Sequence, residues 1–152
     1  IALLVRDVLE SVNLQGFAKT SGSKGLQLYV PLNTPCTHQQ AADFALAVGQ
    51  LLEHQHRDLV TTTMAKAVRP GKIFVDWSQN ARFKTTIGVY SMRARPEPTC
   101  STPVTWDEVA ACADGGAELR FLWSDVLARV EEHGDLFEPV LTLQQTLPGG
   151  GG

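Results

Sequence analysis

Two short alternating runs either side of a polar, glycine-containing loop constrain this 152-residue chain more than any other feature. Phe17-Ala18-Lys19-Thr20 and Leu26-Gln27-Leu28-Tyr29-Val30 flank Ser21-Gly22-Ser23-Lys24-Gly25, and Pro31 stops the second run. Period-two runs joined by such a loop predict an antiparallel β-hairpin. A two-stranded hairpin is marginal in water and needs a third strand or a helix over its apolar face. Helical patterns lie on both sides of it: residues 1–12 place apolar groups at helical spacing, and Thr37 can cap a long helix over 38–54. The expected fold is therefore α+β, a small antiparallel or mixed sheet with packed helices.

Further along, Phe44, Val48, Leu51 and Leu52 should face inward from the long helix. Residues 58–67 give no clear period beyond a short helix through Met64–Ala67. Pro70-Gly71 predicts a turn, after which Lys72–Trp77 reads as a buried strand ending in an acid, and Thr85–Met92 is β-rich. Arg95-Pro96-Glu97-Pro98 is a rigid connector to a short helix opening at Thr105 or Trp106. A last helix spans 124–133 with Ser124 as cap. The domain is expected over 1–147, with 148–152 a flexible glycine-rich tail.

Composition sets the outer bounds. Hydrophobic residues make up 43% and charged residues 19%, which excludes a disordered chain. No apolar run is long enough to span a bilayer and the first residues carry no signal pattern. Three cysteines without a CxxC pair indicate neither a disulfide framework nor a zinc knuckle and suit a cytoplasmic setting. The net charge of −3 conceals a strong asymmetry. Eight Lys/Arg against two Asp/Glu give residues 57–95 a net +6, whereas residues 96–152 carry two against ten, a net −8. A basic centre of this kind suits a polyanion, although a solvated surface cluster reads the same way.

Three places could carry chemistry. The hairpin tip, with Ser21 and Lys24, offers glycine backbone, hydroxyls and a cation to an anion, or is simply a solvated turn. Asp76, at the end of Ile73-Phe74-Val75, could hold a magnesium or manganese ion with Ser78, Gln79 and Asn80 beside it, or could cap its strand. Arg93 and Arg95, two residues apart on a β-rich segment, would share a face suited to phosphates or would guard a sheet edge. His54 and His56 read as solvated.

Together the strings FAKTSGSKGLQLYVPL (17–32), KIFVDWSQN (72–80), SMRARP (91–96) and STPVTWDEV (101–109) resemble the polymerase domain of bacterial ligase D. That domain belongs to the archaeo-eukaryotic primase superfamily and serves non-homologous end joining. The resemblance covers residues 1 to 140 in order and implies the C-terminal portion of a larger, two-lobed domain. It implies triphosphate contacts for Ser21, Lys24, Gln27 and Arg93, nucleotide positioning by Gln79, and nucleic-acid contact at Arg69. Asp76 would be a catalytic metal carboxylate for Mn2+ or Mg2+. The partners implied are NTPs or dNTPs, DNA ends or gaps, and the ligase and Ku end-joining proteins, with no membrane. Two departures stand out: Gln27 replaces the family's histidine, and the family's Asp-x-Asp pair is absent from these residues. The pair would lie just before Ile1, so this chain alone is expected to be inactive. The alternative is a non-catalytic module that binds nucleotide or nucleic acid.

Overall fold

The computed structural model describes residues 1–149, so most of the expected tail, residues 150–152, lies outside the described residues. Helix α1 (Ala2–Ser11) leads through the buried Leu14 and Gly16 into the hairpin β1 (Phe17–Thr20) and β2 (Leu26–Tyr29). The hairpin register pairs Phe17 with Tyr29 and Thr20 with Leu26. Helix α2 (His38–Gln55) follows, then β3 (Val60–Thr61), a 3-10 turn (Lys66–Val68), β4 (Ile73–Phe74) and a second 3-10 turn (Trp77–Gln79). Strand β5 (Pro103–Val104) precedes α3 (Trp106–Ala113), α4 (Trp123–His133) and the short α5 (Pro139–Thr142). The strands form two sheets: an antiparallel β2-β1-β5 and a parallel pair β3-β4.

Local chemistry explains two of the helix starts. Thr37 accepts from the Gln40 backbone N–H at 3.1 Å, while the Gln40 side chain accepts from Thr37 N–H at 2.8 Å. Thr105 and Glu108 repeat this reciprocal box ahead of α3. Each satisfies two backbone donors that an uncapped helix would leave open.

The core has two halves with α1 between them. Ala18, Val104 and Val109 form one, against Ala2, Leu3 and Trp106; Val48, Leu52 and Val60 form the other, against Leu4, Val5, Val8 and Phe44. Behind α3, Arg129 donates to both carboxylate oxygens of Glu108 and stacks on the Phe121 ring at 4.7 Å. Burial pushes the Glu108 carboxyl up, but the bonds from Arg129 and Thr105 outweigh it and hold the group below the usual carboxylate range.

Five expectations need correction. Leu51 is 43% exposed, because Val48 and Leu52 carry the buried stripe of α2. The strand expected over 72–77 shrinks to Ile73–Phe74, with Ile73 57% exposed, because only β3 pairs with it and its other edge is open. Segment 58–67 contributes β3 instead of a helix at Met64–Ala67, and its 3-10 turn starts only at Lys66. Residues 85–92 form no strand; Tyr90 has φ +65°, and only Met92 makes a bridge, to Cys100. Finally, α4 begins one residue before Ser124, and its first turn is held by Asp125, which accepts from Leu122 N–H at 2.7 Å.

Candidate functional site

The hairpin loop is preorganised by its own serine. The Ser21 hydroxyl accepts from the N–H groups of Ser23 (3.1 Å) and Gly25 (3.2 Å), and Ser21 N–H donates to Gly25 O at 2.8 Å. Gly22 sits at φ +66°, a conformation an L side chain rarely adopts. Lys24 is exposed at the tip.

The two arginines reach this loop from outside it. Arg93 donates through Nε to Ser21 O at 2.8 Å, and Arg95 donates to Ser23 Oγ at 2.7 Å. They do share a side of the molecule, as expected, but a turn places them there and not a strand, since Arg95 N–H bonds back to Arg93 O. The half-buried Arg93 keeps its terminal nitrogens uncommitted among the described residues, so its fork can still meet an anion. A Cβ at Gly22 would lie 3.1 Å from Arg93 Cγ and 3.3 Å from the backbone of Cys100 and Ser101. Gly22→Ala should therefore lower stability by about 1–2 kcal/mol, read as a fall in melting temperature. An unchanged melt would mean the loop relaxes freely.

Segment 99–102 braces the hairpin from behind. Thr99 donates to Gly22 O, Thr20 donates to Cys100 O, and Thr102 N–H donates to Thr20 Oγ1. Beneath the loop lies Lys19, fully buried, with its ammonium donating to Gln27 Oε1 (2.6 Å), Ser101 Oγ (2.6 Å) and Ile87 O (3.0 Å). Burial, and then the like charge of Arg93, lowers its pKa to about 8. Gln27 in turn donates through Nε2 to Thr86 Oγ1.

Asp76 and Gln79 form a second cluster. The exposed Asp76 carboxylate accepts from Ser78 Oγ at 2.7 Å and from Gln79 Nε2 at 3.0 Å, at the start of the second 3-10 turn. That turn packs against α2, and Trp77 donates to Thr62 O at 3.1 Å. Beneath it Glu53 accepts from the hydroxyls of Thr62 and Thr61, bonds that hold its carboxyl below the usual range. Arg69 does not reach out freely. It lies over the Phe74 ring at 3.7 Å and donates to the carbonyls of Thr63 and Met64.

The structure thus joins Ser21, Gln27 and Arg93 around one loop and Gln79 to Asp76 in another group, with residues 80–92 running between the two. The profile of the family described as "LigD, primase-polymerase domain" matches residues 1–137. The chain belongs to this family. It is 48% identical over 141 residues to the multifunctional non-homologous end joining protein LigD of Mycolicibacterium smegmatis, covering 92% of this chain and 18% of that protein. The bifunctional non-homologous end joining protein LigD of Bacillus subtilis is 28% identical over 131 residues, covering 86% of this chain and 21% of its own. The polymerase domain from Mycobacterium tuberculosis ligase D, solved in complex with DNA, superposes at a TM-score of 0.86 and 44% identity. That match takes in 95% of this chain and 49% of the other, so the chain spans about half the solved primase-polymerase domain.

Within this LigD primase-polymerase chain, sequence reasoning missed Lys19, Ser101 and Glu53 as organisers. A lysine inside a short run that is otherwise mostly apolar was the only signal for Lys19. Nothing local marked the other two, whose partners lie far along the chain or in strand β3. No helix among the described residues is long and apolar enough to cross a membrane.

Proposed function

We propose that this chain supplies the triphosphate-binding part of a primase-type polymerase that adds nucleotides to DNA ends or gaps during double-strand-break repair. In this reading residues 1–147 form the C-terminal portion of a larger two-lobed domain, acting in the cytoplasm with ligase and Ku end-joining proteins. The observation that carries it is the match, over nearly the whole chain, to a polymerase domain bound to DNA.

Each cluster then has a task. Loop 21–25 offers backbone donors and the Lys24 charge to the triphosphate, joined by Gln27 Nε2 and the Arg93 fork. Gln79, tethered to Asp76, positions the nucleotide, and Arg69 fixes the basic 63–72 segment along the nucleic acid. Asp76 is the metal carboxylate. An exposed aspartate whose two oxygens keep free lone pairs beside Ser78 and Gln79 fits one ligand position of Mg2+ or Mn2+. Among the described residues no group of three or more His, Cys, Asp or Glu comes together, and in this reading the triphosphate and acids from the rest of the domain complete the site. When bound, such ions steady the triphosphate and favour attack by the primer hydroxyl.

The test is extension of a labelled primer on gapped DNA by the product of the complete reading frame that contains this chain, with Mn2+ or Mg2+ and each class of nucleotide. Extension supports the proposal. DNA retention that weakens with salt but never yields extension would instead establish a binding module.

A further inference from the structure

We propose that Lys19 is a positioning residue that fixes the polarity of the Gln27 amide, oxygen inward and NH2 outward, so that the hairpin presents a hydrogen-bond donor to the triphosphate at position 27. The inference deepens the triphosphate reading above and rests on it for the identity of the ligand.

An ammonium has three donors and no acceptor. Lys19 is 0% exposed, and its nitrogen has three neighbours within hydrogen-bond distance: Ile87 O, Ser101 Oγ and the Gln27 side chain. Ile87 O can only accept. Ser101 has one hydroxyl hydrogen, which goes to Thr20 O at 2.7 Å, so it meets Lys19 with a lone pair. The Gln27 atom 2.6 Å from Lys19 must therefore be the oxygen, because an NH2 there would set donor against donor. With Oε1 turned inward, Nε2 faces the exposed Thr86, whose hydroxyl can exchange for an external acceptor.

Charge points the same way. Buried cations are normally paired with an acid. Here the charge acting on Lys19 is the like charge of Arg93, and no carboxylate bonds it among the described residues. The Tyr29 ring, 5.6 Å away, closes the remaining side. Two cations, one buried beneath the loop and one bonded to it, make a positive focus with no carboxylate bonded to either among the described residues. Lys19 itself cannot touch a ligand, so it acts through Gln27.

The test is equilibrium binding of ATP to this chain and its variants, followed by calorimetry. Lys19→Met should weaken binding about tenfold, as should Gln27→Met. Because the two act as one unit, the double variant should lose no more than either single change. Gln27→Glu keeps the inward acceptor, and so the fold, but turns an acceptor outward; it too should bind about tenfold more weakly, while Gln27→His should exceed Gln27→Met. Losses that add, or wild-type affinity in Gln27→Glu, would overturn the proposal. Amide orientation is read separately by NMR in the wild-type chain. Gln27 Nε2 protons close to Thr86 support it, and protons close to Ser101 overturn it whatever the ligand. A wild-type chain that fails to bind ATP while showing the outward amide would reject the triphosphate reading alone.

Discussion

In the proposed role, replacing Asp76 with alanine in the complete protein that carries this chain should slow nucleotide addition by about a thousandfold or more, with little change in melting temperature. The separation of the two effects follows from geometry. Asp76 is exposed and makes two local bonds, from Ser78 and Gln79. Bonds from neutral donors to an exposed carboxylate compete with water and contribute about 1 kcal/mol each. The fold around it is held by other groups: Trp77 on Thr62 O, Glu53 on Thr61 and Thr62, and the 3-10 turn against α2. None of these involves the Asp76 carboxylate. In the proposed role, by contrast, the carboxylate's charge is its contribution, and no neighbour replaces it. Asp76→Asn should fail as completely, since its amide oxygen still accepts from Ser78 but the charge is gone. Primer extension by both variants, set beside their melts, is the measurement. Near-normal extension by either would remove Asp76 from the metal site.

The parts of this site that were legible beforehand are those written in local sequence. The two capping boxes depend on residues three apart, so Thr37 and Thr105 announce their helices directly. The hairpin is equally local: its register follows from two alternating runs and one loop. What stayed hidden depends on distant pairing. Strands β3 and β5 are two residues each and exist only because β4 and β1 lie beside them. The segment 85–92 has strand-forming residues yet winds as a turn, because Lys19 takes Ile87 O, Ser101 O takes Tyr90 N–H, and Asp135 takes the Tyr90 hydroxyl. Arg69 shows the limit most plainly. A basic residue in a basic segment suggests an outward contact, whereas Phe74 and two loop carbonyls claim most of its guanidinium.

The buried lysine leads to a second large effect, in stability against pH. Its pKa falls from 10.5 to about 8 on folding, chiefly because burial penalises the ammonium. Between these values the unfolded chain holds a proton that the folded chain has released. Stability therefore rises with pH across that window, at about 1.4 kcal/mol per unit, for a total of about 3 kcal/mol. Below about pH 8 the folded protein carries the full cost of the buried charge, so the contribution is flat there. Two groups act in the opposite sense at high pH. Burial, then Asp125, raises the Cys100 thiol, and burial, then the bond to Asp135, raises the Tyr90 phenol, so both ionise first in the unfolded chain. The difference between the wild type and Lys19→Met cancels these terms and isolates Lys19. Chemical denaturation at about pH 7.5 and about pH 9.5 should show the wild type gaining about 2 kcal/mol relative to the variant. A constant difference across that range would mean that Lys19 keeps an ordinary pKa in the fold. The three neutral partners would then have to offset the whole cost of burying the ammonium.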